Sequence, residues 1–362
     1  MSVIAHIATA VPSYCYQQGM LLDFMQGIYG MQGDEAKKLA QLYHRSGIET
    51  RYSALPDYNG PTRILFPATS DMEPFPSLEE RMQIFLKEAS TLAQKAILPC
   101  LEKVEVNEIT HLITVSCTGL SAPGLEIQLM QSLGLNSNVQ RSSVNFMGCY
   151  AAVHALRQAD YICKSETSAK VLLVCVELCT LHFQKEQDMD NVTANLLFGD
   201  GAAAALVCGD DWEGTGFLIR DFYSYLEVSG ISDMAWNLSS KGFLMRLSGY
   251  IPQLIEKGFK KLVEDALHNL QLVPEDITHW AIHPGGRKIL DLIYKEMEFK
   301  NGALEASYNV LKRYGNMSSP TILFVLKELW ENKIRQNNAT IFGAAFGPGL
   351  TMETFVLQNR AE

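Results

Sequence analysis

No uninterrupted apolar run in this sequence approaches the roughly 20 residues that a membrane-spanning helix requires, so the chain is not expected to span a bilayer. Its first residues, M-S-V-I-A-H-I-A-T-A-V-P, lack the basic stretch that opens a signal peptide, and none is expected. Positive charge is in deficit: 30 Lys and Arg against 40 Asp and Glu leave a formal net charge of -10. That balance argues against a nucleic-acid surface, while leaving room for a local basic mouth around a phosphate-bearing ligand. The eight cysteines, at 15, 100, 117, 149, 163, 175, 179 and 208, form no C-x-x-C pair and no even framework. Most lie in apolar segments, which fits reduced thiols in a cytoplasmic protein. F-G-D-G reads as a turn around Asp200 and not as a phosphate cradle, because no G-K-[ST] follows it. His279 and His283 repeat as H-x-x-x-H. On a strand they would lie about 13 Å apart with no acidic partner following, so no metal site is expected. Low-complexity segments and evident linkers are also missing.

What is present is an ordinary globular balance, 47% hydrophobic and 19% charged. At 362 residues the chain has room for a large core or for two similar halves. Strand and helix patterns alternate. I-T-H-L-I-T-V-S-C, ending at Cys117, reads as a buried strand, and the run from Pro123 as a helix closed by glycine. A short strand at 144–146 leads into a helix running from Cys149 to about Lys164. Apolar runs at 170–178 and 201–209 have the composition of strands covered on both faces. The pattern recurs with a helix at 252–270, a strand at 279–283, helices near 304–313 and from Pro320, and two strands around a Gly-Pro-Gly corner. This predicts a duplicated α/β fold, with an N-terminal half over 1–214 and a C-terminal half over 215–362.

Three polar residues stand where apolar segments end. Cys149 lies in V-N-F-M-G-C-Y-A-A, at a strand-to-helix turn with small neighbours; taken singly it reads as a buried structural thiol. A helix N-terminus there would favour its thiolate. His283 lies in H-W-A-I-H-P-G-G and Asn316 in R-Y-G-N-M-S-S-P, each followed by Gly, Pro or Ser. Singly, His283 is a strand-end histidine and Asn316 a turn or helix cap; together with Cys149 they suggest chemistry. His154 and Cys163, inside the Cys149 helix, read as packing.

G-C-Y-A-A, F-G-D-G-A-A-A, I-H-P-G-G, Y-G-N-M-S-S-P and A-F-G-P-G-L-T-M-E-T occur in an order and spacing that resemble the type III polyketide synthases, the chalcone-synthase-like branch of the thiolase fold. The likeness runs nearly the whole length. It implies a layered α-β-α-β-α architecture, a homodimer, and an acyltransferase that uses coenzyme A thioesters and no cofactor. It also implies a Cys149–His283–Asn316 triad. A thiolate steadied by imidazolium would take an acyl group from acyl-CoA. His283 and Asn316 would donate to the thioester oxygen as malonyl-CoA loses carbon dioxide, with no carboxylate needed.

By the same resemblance, Phe198 is a gatekeeper between a coenzyme A tunnel and the reaction cavity. Met245 stands where the plant enzymes carry a second phenylalanine; its flexibility would admit a bulkier starter. Cys117, Cys179, His182, Trp236 and Ser318 fall at positions lining the elongation and cyclisation pocket. Lys38 and Arg45 match residues that meet coenzyme A phosphates, with Gln41 in place of a basic residue between them, and Gly285 falls at a further coenzyme A position. As alternatives, Phe198 is core packing, and Lys38 and Arg45 a solvated helix face. A-P-G-L at 122–125 falls where a partner's cavity wall would be reached. M-A-W-N-L-S-S-K-G-F, with Trp236, resembles the bacterial alkylresorcinol and alkylpyrone synthases. The expected activity is therefore condensation of a fatty acyl-CoA starter with malonyl-CoA to an alkylresorcinol. Alternatives are an alkylpyrone or short-starter product, a single-round ketoacyl or hydroxymethylglutaryl synthase, and a non-enzymatic binding protein.

Overall fold

The computed structural model describes residues 1–69, 71–102, 104–332 and 339–360. Its first part runs β1 (Val3–Ala10), β2 (Tyr14–Gln17), α1 (Gln18–Tyr29), α2 (Gly33–Arg45), β3 (Thr50–Ser53), α3 (Leu78–Cys100), β4 (His111–Ser116), α4 (Leu125–Leu133), β5 (Gln140–Asn145), α5 (Ala151–Ser165), β6 (Lys170–Leu178), α6 (Met189–Leu197) and β7 (Asp200–Cys208). The rest runs β8 (Gly216–Leu226), β9 (Met234–Ser239), β10 (Gly242–Leu247), α7 (Ile251–His268), β11 (His279–Ile282), α8 (Arg287–Glu296), α9 (Glu305–Tyr314), α10 (Thr321–Asn332), β12 (Thr340–Gly347) and β13 (Thr351–Arg360).

Nine strands form one hydrogen-bonded sheet in the order β11-β12-β13-β8-β1-β7-β6-β4-β5. The two wings meet at β1 and β8, whose register pairs only Val3 with Leu218 and Ile4 with Phe217. Alternation along the strands sorts side chains between layers. Val171, Leu173 and Cys175 of β6 pack in one cluster with Ala152, Leu156 and Cys163 of α5. Ile322 and Leu326 of α10 and Ile341 and Ala345 of β12 join the same cluster, so α5 and α10 lie between the wings. The opposite faces, Leu172 and Val174 of β6 and Phe342 and Phe346 of β12, share a cluster with Leu92 and Ala96 of α3 and Phe259 and Leu262 of α7. The β6 and β7 runs are apolar throughout because helices cover them on both sides.

Two local expectations need correction. Asp200 is the first residue of β7, not a turn, and its buried carboxylate accepts from Ala54 N, Thr180 N and Thr180 Oγ1. Cys149 lies ahead of α5, which begins at Ala151.

Candidate active site

The chain turns sharply out of β5. Phe146 and Gly148 both take positive φ, 61° and 86°. A Cβ on Gly148 would sit 2.2 Å from Pro348 Cδ, so only glycine lets the corner after β12 close onto this turn. Gly347 answers it, since a Cβ there would lie 2.5 Å from Tyr150 Cδ1. Cys149 is thereby held between two segments that are far apart in sequence.

His283 follows β11, and its backbone N still donates to Ala344 O of β12 at 2.8 Å. Gly285 N turns back to His283 O at 2.9 Å. Asn316 is placed by an isolated parallel bridge to Phe198: Asn316 N donates to Leu197 O and Gly199 N to Asn316 O, each at 2.9 Å. Asn316 Oδ1 lies 4.0 Å from Cys149 Sγ and accepts from Ser318 N at 2.8 Å. Asn316 Nδ2 makes a long bond, 3.4 Å, to Gly285 O. Gly285 therefore spaces His283 from Asn316.

Cys149, His283 and Asn316 all open on one cavity of about 700 Å³. Phe198, Met245 and Trp236 are on its wall, as are Cys117, Cys179, His182 and Ser318. Met245 and Trp236 face each other directly across the β9–β10 ribbon. Trp236 Nε1 donates to Cys117 O at 2.7 Å, and Cys117 Sγ accepts from Gly148 N at 3.0 Å. His182 uses both ring nitrogens, with Nδ1 accepting from Phe243 N at 3.1 Å and Nε2 meeting Thr118 O at 2.8 Å. Its ring stacks on Phe243 at 4.3 Å. Trp236 and His182 thus spend their polar atoms on the protein and turn carbon toward the cavity.

Burial pushes the Cys149 thiol up to about 11, against the opposing hydrogen bonds of Ser318 and Asn316. Burial also pushes His283 down to about 3, and neither of its ring nitrogens has a partner. Burial thus works against the charged form of each group, whereas an opposite charge close by would work for it. Behind the site, Glu177 collects Ser319 Oγ, Cys117 N and Thr118 Oγ1, and burial raises its carboxyl to about 7.

At the mouth, Arg45 lines the cavity, whereas Lys38 is exposed higher on α2 and does not. Sequence reasoning missed Arg287 and Lys288, which also line it at the start of α8. They follow directly on the I-H-P-G-G motif, a signal that was available. Among the described residues, no group of three or more His, Cys, Asp or Glu is placed to hold a metal ion.

Family profiles described as chalcone and stilbene synthases match residues 1–211 (N-terminal domain) and 228–360 (C-terminal domain). The chain belongs to this family. It is similar to a Bacillus subtilis (strain 168) protein named "Putative chalcone synthase", at 29% identity over 98% of this chain and 97% of that one. Among solved structures it resembles PKS-I of the brown alga Ectocarpus siliculosus, with 27% identity, a TM-score of 0.90, and 99% and 98% of the two chains covered. It also resembles the 1,3,6,8-tetrahydroxynaphthalene synthase of Streptomyces coelicolor A3(2), a bacterial type III polyketide synthase. There the identity is 25% and the TM-score 0.88, over 99% and 100% of the chains. The fold is the thiolase fold of the type III polyketide synthases. The protein is an acyltransferase of that class, whose members condense malonyl-CoA iteratively.

Proposed function

We propose that the enzyme loads a fatty acyl group from coenzyme A onto Cys149, extends it with malonyl-CoA and closes the chain to an alkylresorcinol-type product. The observation that carries this reading is the convergence of Cys149, His283 and Asn316 on one largely apolar cavity. As the thiol attacks the starter thioester, its proton passes to a free nitrogen of His283 and stays there; the sulfur–carbonyl bond forms, the carbonyl's bond to the coenzyme A sulfur breaks, and coenzyme A leaves as a thiolate that takes its proton from solvent. Malonyl-CoA then loses carbon dioxide, and its C–C bonding pair becomes an enolate whose oxygen accepts from Asn316 Nδ2 and protonated His283. The enolate carbon attacks the Cys149 thioester, one C–C bond forms, and the Cys149 thiolate departs ready for transfer. Arg45, Gly285, Arg287 and Lys288 would receive the coenzyme A end; Lys38 would act only at longer range. Phe198 and Met245 would gate the passage, and Trp236 would restrict folding of the extended chain toward carbon attack.

Eight unpaired cysteines fit work in the cytoplasm, and a homodimer is proposed on the family's pattern. No helix of the described residues is long and apolar enough to cross a membrane. The test is incubation with malonyl-CoA and a panel of acyl-CoA starters, with products identified by mass. Alkylresorcinols from long starters support the reading. Turnover of short or aromatic starters only would overturn the starter assignment, and dependence on an acyl carrier protein would point to a ketoacyl synthase.

A further inference from the structure

Arg51 of β3 borders the cavity yet is only 4% exposed, and no step above uses it. An arginine keeps its charge when buried, so its contacts must offset the loss of water. Its Nε donates to Gln18 Oε1 at 3.0 Å and its Nη1 to Phe198 O at 2.5 Å. Gln18 Nε2 in turn donates to Leu196 O at 3.0 Å, and Asn316 N takes the carbonyl between them, Leu197 O. Three successive carbonyls at the end of α6 are thus each held, with a cation where the helix dipole is negative. The stem of Arg51 runs against the same junction. A Cβ on Gly315, the residue before Asn316, would lie 2.9 Å from both Arg51 Cγ and Cδ, and one on Gly199 would lie 3.5 Å from Arg51 Cβ. Arg51 therefore braces both chains of the bridge between Phe198 and Asn316. Cys149 is placed from elsewhere, by the Gly148–Pro348 corner.

We propose that Arg51 is a positioning residue for the Asn316 amide: its planar fork fixes the 196–199 strap against which Asn316 is set. The inference rests on the role given to Asn316 above and adds what holds that residue in place. Lysine keeps the charge but cannot offer two donors at a fixed angle, so Arg51→Lys should let the strap shift. A misplacement of about 1 Å costs up to about 100-fold, so malonyl-CoA decarboxylation should fall about 10- to 100-fold. Acylation of Cys149 should not fall. The experiment measures both with the whole enzyme. Decarboxylation is followed as carbon dioxide release, and acylation as the burst of coenzyme A from an acyl-CoA that the wild type accepts, supplied without malonyl-CoA. Their ratio within one variant cancels any loss of folded protein. Gln18→Leu, which removes the partner of Nε and leaves Arg51 in place, should move the ratio the same way by less. In an Asn316→Ala background, Arg51→Lys should cost nothing further, because the amide it positions is gone. An unchanged ratio in both single variants, or losses that multiply in the double variant as direct contact with substrate would make them, would overturn the positioning role. Decarboxylation by Asn316→Ala at the wild-type rate would instead overturn the reading of Asn316 itself.

Discussion

Replacing Trp236 with glycine tests the link between cavity shape and ring closure. The indole is fixed from three sides: Nε1 donates to Cys117 O at 2.7 Å, and the ring meets His182 at 5.7 Å and Phe243 at 5.8 Å, both edge to face. Losing the hydrogen bond costs about 1 kcal/mol. The two aromatic pairs add about 0.5–1.5 kcal/mol each, and glycine in a strand about 0.5–1 kcal/mol more. Because Trp236 is only half-buried, a net loss of about 3 kcal/mol is expected, visible as a fall in Tm of roughly 4 °C. The fold should survive. With the wall gone, an extended chain can bring an enol oxygen to the thioester as readily as a carbon. A steric bias of about 1.4 kcal/mol corresponds to tenfold in product ratio, so resorcinols should fall about tenfold relative to pyrones. Trp236→Phe, which keeps much of the bulk but not the N–H, should hold the wild-type ratio while losing stability. Products are separated by chromatography and identified by mass, with Tm measured alongside. A folded, active Trp236→Gly enzyme with an unchanged ratio would refute control of cyclisation by this residue. Collapse of the fold together with all activity would mark Trp236 as a packing residue.

Cys149→Ala should abolish product formation with an unchanged melting curve, and intact-protein mass spectrometry should find the starter's acyl adduct on wild type but not on the variant. Asn316→Ala and His283→Ala should each slow malonyl-CoA decarboxylation on the order of 10²–10³-fold, measured as carbon dioxide release. His182 is held neutral by burial with its pKa lowered to about 3, so its contribution is intact above pH 6.5 and is lost as pH falls toward 3. Glu177, raised to about 7, has the opposite sign: its contribution is full below pH 4.5 and lost as pH rises through 7. Glu177→Gln should therefore flatten the decline in Tm between pH 6 and 8, and a decline as steep as the wild type's would contradict the assignment. Sedimentation equilibrium should give twice the chain mass.

The buried strands and long helices were legible because their periodicities are imposed by burial. β6 and β7 read as continuous apolar runs, and Gly134, in the left-handed conformation, closes α4 where the sequence places the stop. β5 was nearly missed: Q-R-S-S-V-N has one buried side chain, and it is a strand only because β4 pairs with it at the sheet edge. Asp200 misled because a lone aspartate between glycines has turn chemistry, and only the Thr180 and Ala54 donors from elsewhere let it enter a strand. The residues named from motifs fell around one cavity, apart from Lys38. The burial that acts on Cys149 and His283 was not legible, because it depends on how completely the fold removes water.

The corner in which Gly148 meets Pro348 and Gly347 meets Tyr150 has a consequence in time as well as in space. Ribosomes deliver Cys149 long before β12 and the Gly-Pro-Gly segment behind it. Until those residues emerge and dock, nothing presses the nucleophile's turn into shape or closes the water out around it. The geometry around the nucleophile is therefore finished only by residues from the far end of the chain, about 200 positions later in synthesis.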